Sequence, residues 1–499
     1  MPSAIDTLRE SLGTISDVGR ASSLLAWDER TQMPPGGAEP RAEGLATLAR
    51  IHHERLTADE LGEQLDAAAA EVDGVPYDSV EASLIRVTRR EWEKARKVPS
   101  ELRAEITRVA SRAEHAWVKA REDSDFAAFL PHLAEVVDLT RQYVECFAPY
   151  DHVYDPLLDD YEPGMTTATL VPLLTGLREG LTPILERVKD APQLDDSPLR
   201  GSFDLASQRA LARAVAASLP LGEGEWRLDD TVHPFASAIA STDIRITTRF
   251  DEDYLGTALY SVMHEAGHGM YENGLPPELR RTPLQSGASM GFHESQSRLW
   301  ENWVGRGRPY LRWALPMLRE HLGDSLGDAD AETLYRAANR VEPSLIRVEA
   351  DELTYNLHIA LRFELEIEIL EERIELSDLP EAWNARMESY LGVEVPDDAN
   401  GVLQDVHWGA GLFGYFPTYS LGNVIAGQLW AAATETMPDL EERIERGELG
   451  KLNAWLRETL YRHGSCFEPL ELIERVVGGP LDVGPLVAHL DAKFGELYA

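Results

Sequence analysis

Apolar residues recur at three- and four-residue spacing between charged positions along most of the chain, as in Val80, Leu84 and Val87 with Glu81 and Arg86 among them, and again from Leu130 to Tyr143. Helix formers fill the positions between, so the pattern predicts a mainly α-helical body. Turn residues interrupt it at Met33–Gly37, Asp190–Gly201, Leu221–Gly224 and Val395–Gly401. No Gly/Ser linker, low-complexity tract or internal repeat separates these stretches. One unit over residues 1–499 is therefore expected, with an N-terminal helical portion of about 1–200 and a second portion of about 201–499. Ile244, Ile246 and Thr248 alternate with Arg245, Thr247 and Arg249, which predicts a short half-buried strand. Phe363 to Ile369 also alternates, but it lies inside the uninterrupted run Leu353–Leu376 and is read as helix.

Composition narrows the partners. Of 499 residues 47 are Lys or Arg and 86 are Asp or Glu, a formal charge of −39, and such a chain repels phosphate, so no nucleic-acid partner is expected. The acidity fits either adaptation to high salt, where screening relieves self-repulsion, or an ordinary acidic protein. Cys146 and Cys466 stand far apart with no paired spacing, which predicts two apolar thiols and no disulfide framework. Asp6 and Glu10 fall where a secretory signal needs a basic start and an apolar stretch, so a cytoplasmic location is expected. The most apolar window, Leu421 to Ala433, is broken by Asn423 and Gln428 and is shorter than the roughly 20 residues of a membrane span, so no membrane association is expected.

The chemistry centres on His264-Glu265-Ala266-Gly267-His268. Residues four apart on a helix differ by about 40° around its axis, so both imidazoles project together and grip one ion, while Glu265 borders that ion without binding it and can take a proton from water. Downstream, Gly291-Phe292-His293-Glu294-Ser295 precedes a helical pattern from Arg298 to Val304, and Glu294 completes the two-histidine, one-carboxylate set of catalytic zinc. A di-iron bundle requires Glu-x-x-His from two helices, and only Glu265 before His268 meets that spacing. Thermolysin-like enzymes carry an Asp four residues after the glutamate ligand; here the position is Arg298, so the groups that orient the histidines must come from elsewhere.

These residues resemble the thermostable, Taq-type metallocarboxypeptidase 1 family over nearly the whole chain. The likeness extends to His233-Pro234-Phe235, Asp243-Ile-Arg245-Ile-Thr247, His293-Glu294-Ser295, Ile346-Arg347-Val-Glu-Ala350-Asp351 and Gly401-Val-Leu-Gln404-Asp405-Val-His407-Trp408, and to the opening Trp27-Asp28-Glu29-Arg30-Thr31-Gln32-Met33-Pro34, for which no chemical role is evident. The resemblance implies a neurolysin-like, zincin architecture: packed helices, a small β element and a deep active-site cleft. It further implies a homodimer, release of single residues from peptide C-termini, Zn²⁺ or Co²⁺ at His264, His268 and Glu294, Glu265 as general base, and His233 among the substrate-binding residues.

Peptide hydrolysis also needs donors for a tetrahedral oxyanion. His407, Tyr415 and Tyr419 are candidates, in a segment similar to that of neurolysin-like and angiotensin-converting-enzyme-like peptidases; packing of a cleft wall is the alternative for each. A free terminal carboxylate suits arginine's planar fork. Arg347 is the first choice and Arg245 the second, with an ordinary pairing to a neighbouring acid as the alternative for both. The leading reading is a metallocarboxypeptidase of broad specificity acting on short or unfolded peptides. Its rivals are a metallo-oligopeptidase cutting internal bonds and an inactive helical binding or scaffold protein with a structural metal site.

Overall fold

The computed structural model describes residues 3–499. Helices dominate, as the periodicity predicts, and the β structure is one small three-stranded sheet. The chain forms two compact units, one from the described residues of Met1–Arg96 with Asp196–Ala338 and Leu429–Gly479, the other from Lys97–Asp195, Asn339–Gln428 and Pro480–Ala499. Among the described residues no helix is long and apolar enough to cross a membrane.

In the first unit the sheet consists of β1 (Trp226–Asp230), β2 (Ala236–Ala240) and β3 (Asp243–Thr248), in the order β1-β3-β2. The alternating segment forms the central strand, β3, with Ile244 and Ile246 buried and Arg245 between them on the opposite face. β1 runs parallel to it with Arg227 beside Arg245, and β2 runs antiparallel with an irregularity between Ala238 and Ala240. Neither β1 nor β2 was expected: Trp-Arg-Leu-Asp-Asp and Ala-Ser-Ala-Ile-Ala lack a clean period of two, and pairing to β3 is what holds them extended. β3 packs on the helix Gly256–Gly274, which buries Leu259, Val262, Met263, Ala266 and Met270. The helix Met290–Arg298 starts at Ser289, whose hydroxyl accepts the Phe292 N–H at 3.1 Å. It continues not as α-helix but as a π-helical stretch, Leu299–Gly305.

In the second unit the helix Tyr355–Leu370 occupies the position read from the Leu353–Leu376 run. Only Glu364 and Glu368 are partly exposed along it, so it carries no amphipathic signal. Around it in sequence lie the helices Phe126–Glu145, Thr167–Lys189 and Leu379–Leu391. Residues 401–415, which carry His407 and Tyr415, form turns without helix or strand.

Candidate active site

His264 and His268 stand one turn apart on the Gly256–Gly274 helix, and Glu294 comes from the Met290–Arg298 helix. The two helices meet closely because position 267 is glycine: a Cβ there would lie 2.5 Å from the Gln296 carbonyl oxygen and 2.7 Å from the Ser297 Cα. Oε2 of Glu294 is 3.6 Å from Nε2 of His264 and 3.5 Å from Nε2 of His268. One potential ligand atom from each residue lies within 4.8 Å of the others. A tetrahedral ion with bonds of about 2.0–2.1 Å separates its ligand atoms by roughly 3.3 Å, so this trio fits a divalent cation.

The groups behind the trio are those the sequence left unnamed. Nδ1 of His264 lies 2.9 Å from Oε2 of Glu301, on the π-helical stretch. Glu301 in turn accepts from Arg306 at 3.0 Å and Arg298 at 3.4 Å. Nδ1 of His268 lies 3.2 Å from Nδ1 of His293, whose Nε2 is 2.7 Å from Oε1 of Glu272. With neutral rings, and carboxylates that only accept, each chain has one consistent proton arrangement. His264 donates to Glu301; His293 donates to Glu272 and accepts from His268. Both histidines are left with an Nε2 lone pair toward Glu294, the tautomer a cation needs. Arg298, standing where thermolysin-like enzymes have an acid, holds Oε1 of Glu294 at 2.6 Å. The signal for this ladder was present as Glu294, Arg298 and Glu301 at helical spacing, but a comparison confined to the position four after Glu294 passes over Glu301.

Burial raises the Glu294 carboxyl, yet Arg298 and the two imidazoles outweigh it and hold the group well below the usual range. Glu265 is 6% exposed, and burial pushes it up to about 7 despite the opposing pull of His264. Burial likewise lowers His268, to about 4, which keeps its ring neutral.

On the sheet, Arg245 makes two 3.0 Å hydrogen bonds to Asp243, and its guanidinium lies 4.2 Å from the Trp27 ring centre. Arg227 packs on the same ring at 4.7 Å. Trp27 thus has a physical role, an aromatic floor under two adjacent arginines. Gln32 reaches Asp229 at 3.3 Å and Arg41 pairs with Asp28 at 2.6 Å, tying down the rest of that opening motif. His233 is exposed in the loop between β1 and β2. The next residues are anchored through Phe235, whose N–H donates to the Thr247 hydroxyl at 2.8 Å.

In the second unit, Arg347 donates through Nε and Nη2 to Oδ1 of Asp405 at 3.0 and 2.8 Å, and through Nη1 to Tyr355 at 3.0 Å. Arg362 takes the other carboxylate oxygen at 2.7 Å, and Gln404 accepts from Arg362 at 2.7 Å and from the Arg347 N–H at 2.9 Å. Arg347 is therefore paired with an acid, and its guanidinium also packs 4.9 Å from the Tyr419 ring centre. Asp351 closes its own turn by accepting the Leu353 and Thr354 N–H groups, both at 2.9 Å. Nε2 of His407 is 3.2 Å from the Tyr419 hydroxyl, and its ring stacks on Phe416 at 4.4 Å and tilts against Tyr415 at 5.6 Å. Burial pushes His407 down to about 4, so it is a neutral ring at physiological pH. The structure thus gathers His264, Glu265, His268 and Glu294 in the first unit, and Arg347, His407, Tyr415 and Tyr419 in the second.

Comparison with known proteins agrees with this chemistry. The family described as carboxypeptidase Taq (M32) metallopeptidase matches residues 7–494. Thermostable carboxypeptidase 1 of Thermus thermophilus is 43% identical over 490 residues, 95% of each chain, and that of Pyrococcus furiosus is 34% identical over 481 residues, 96% of this chain and 95% of the relative. The crystal structure of the M32 carboxypeptidase from Deinococcus radiodurans R1 superposes with a TM-score of 0.96 at 39% identity, covering 99% of both chains. With its family profile matched almost end to end and a His-His-Glu trio built to hold a cation, the chain belongs to the carboxypeptidase Taq (M32) family of metallopeptidases.

Proposed function

We propose that the chain, acting as one catalytic unit over residues 1–499, removes single amino acids from the C-termini of short or unfolded peptides with broad specificity. The observation that carries this reading is the convergence of His264, His268 and Glu294 with ionisable Glu265 on the same helix. Zn²⁺ or Co²⁺ is the assigned ion, because two imidazoles and one carboxylate suit either better than an all-oxygen cation. Once bound, such an ion supplies Lewis-acid chemistry, acidifying water and polarising a carbonyl.

The side chains do the remainder. Glu265 takes a proton from the attacking water and passes it to the nitrogen of the leaving amino acid, a shuttle suited to a carboxyl whose buried position lifts it toward neutrality. His407, neutral and hydrogen-bonded to Tyr419, is assigned with Tyr415 and Tyr419 as donors to the developing oxyanion. Arg347 and Arg245, with His233, are assigned to the peptide's carboxylate end. Their bonds to Asp405 and Asp243 fix the planes of both guanidinium groups in advance. The homodimer implied by the resemblance belongs to the same proposal, as do the cytoplasmic location and the lack of nucleic-acid binding; sedimentation of the purified chain reads the first.

Mass-spectrometric tracking of one peptide and its C-terminal amide, with Zn²⁺, with Co²⁺ and with chelator, tests the reading. A ladder of single-residue losses from the free acid alone, abolished by chelator, is expected. Equal rates on acid and amide with internal fragments would establish the oligopeptidase instead, and inactivity after loading with either metal would favour the scaffold.

A further inference from the structure

Glu366 lies on the Tyr355–Leu370 helix and is fully buried, with no charge partner of opposite sign among its hydrogen bonds. Three donors converge on its carboxylate. The Tyr154 hydroxyl and the Gly414 N–H, at 3.0 Å, donate to Oε2, and the Trp408 indole N–H donates to Oε1 at 2.9 Å. Two of these donors belong to the turn segment 401–415, and their places in it are what matter. Trp408 directly follows His407, and Gly414 directly precedes Tyr415. One carboxylate on a helix thus grips the segment at both points adjoining the side chains assigned above to the oxyanion.

The start of the segment is held separately, by Asp405 and Gln404 bonded to Arg347 and Arg362 and by the Leu403 carbonyl, which accepts from Trp117 at 2.9 Å; Glu366 holds the part that follows His407. Its own backbone bonds are local turns, such as Leu412 N–H to the His407 carbonyl at 2.8 Å and Ala410 N–H to Val406 at 2.9 Å. Gly414 has φ +88°, and a Cβ there would lie 2.7 Å from the Leu157 carbonyl oxygen, so the chain passes that point in a conformation and a space open to glycine. A side chain on a segment without a ladder stands as firmly as its tethers hold it.

We propose that Glu366 is a positioning residue for the peptidase reaction: by holding Trp408 and Gly414 it sets where His407 and Tyr415 stand. This rests on the assignment of those two side chains made above. Burial pushes the Glu366 carboxyl up to about 7 against three donors that favour its ionised form, so at pH 8 the group is an acceptor at both oxygens. Gln keeps the shape and loses that property. Its carbonyl oxygen can serve Tyr154 and Gly414, but its NH₂ then faces the Trp408 N–H, donor against donor. Glu366→Gln is therefore a release of Trp408, and Trp408→Phe makes the same release from the other side.

The test is steady-state kinetics at pH 8 on a free-acid dipeptide with the Zn²⁺-loaded full chain, comparing wild type, E366Q, W408F, the double variant, H407A and Y415F. Thermal unfolding and bound zinc are measured on each. Displacement of a reacting group by a fraction of an ångström to 1 Å predicts a kcat about 10- to 100-fold lower for E366Q, with KM changed less than about threefold and zinc content unchanged. Because both substitutions cut one bond, the double variant should fall no more than about twofold below E366Q. A purely structural staple would lower the unfolding temperature and leave kcat of the folded protein alone. Wild-type kcat in E366Q while H407A or Y415F loses activity overturns the proposal, as do multiplying effects in the double variant. Wild-type kcat in both H407A and Y415F overturns the assignment of those two side chains to the oxyanion and takes this proposal with it. Should E366Q fail to fold, W408F, which leaves the other two donors on Glu366, decides the matter: a lowered kcat supports the grip and an unchanged one refutes it.

Discussion

Replacing Glu301 by Gln asks whether the far nitrogen of a histidine sets the affinity of the near one. Oε2 of Glu301 is 2.9 Å from Nδ1 of His264, and the carboxylate is held by Arg306 at 3.0 Å and Arg298 at 3.4 Å. The Glu301 side chain is 11% exposed, so water does not step in when the carboxylate is lost. Burial raises its carboxyl, but His264 and the two arginines prevail and keep it ionised. An amide can accept the imidazole proton only by turning its NH₂ toward the guanidinium groups, where it meets donors. Loss of such a partner behind a metal ligand costs about 10- to 100-fold in metal affinity, or about 1.4–2.7 kcal/mol. Glu272→Gln acts one ring further out, through His293, and is expected at or below the low end of that range. Competition between the metal-free protein and a chelator of known affinity for Zn²⁺ reads both values, with circular dichroism to confirm that each variant is folded. Zinc affinity for E301Q within about twofold of wild type would refute the reasoning, and a larger loss for E272Q than for E301Q would refute the ranking.

Three further outcomes are expected. Glu265→Gln should retain zinc while kcat falls by about 10²- to 10⁴-fold, the range for loss of a general base, and wild-type turnover with metal bound would remove the assignment. Asp405→Asn leaves Arg347 and Arg362, 7% and 0% exposed, without their shared anion, and should lower stability by about 3–5 kcal/mol in urea unfolding followed by tryptophan fluorescence; a loss under about 1 kcal/mol would contradict it. Although burial raises the Asp405 carboxyl, the two arginines depress it below its unfolded value of about 3.9, so its contribution is complete above that pH and is lost as pH falls further; D405N should show a shallower acid limb than wild type. With 86 acidic against 47 basic residues, the unfolding temperature should rise from low to molar KCl, and no rise would dismiss relief of self-repulsion as a source of stability.

Local periodicity made a large part of this protein legible before any coordinates. The four-residue interval between His264 and His268 places both rings on one side of a helix whatever surrounds it, and alternation marked Ile244, Ile246 and Thr248 as strand. The run around Phe363 was readable as helix from its length, although the finished helix is buried on nearly every side. β1 and β2 were not readable, because Asp229-Asp230 and the alanines of β2 have no strand pattern until β3 pairs with them.

What the sequence determined by itself was the kind of chemistry: which residue types recur at metal-ligand spacing, and the helical face that presents two of them. Tertiary structure decided which groups stand behind those ligands and which acids orient the candidate arginines. Glu301 orients a ring 37 residues away, and Asp405 pairs with Arg347 across 58. Spacing within one helix is a property of the backbone, whereas a partner on another element is chosen by packing, and only a Gly267 that lets two helices close to contact brings Glu294 onto the histidines.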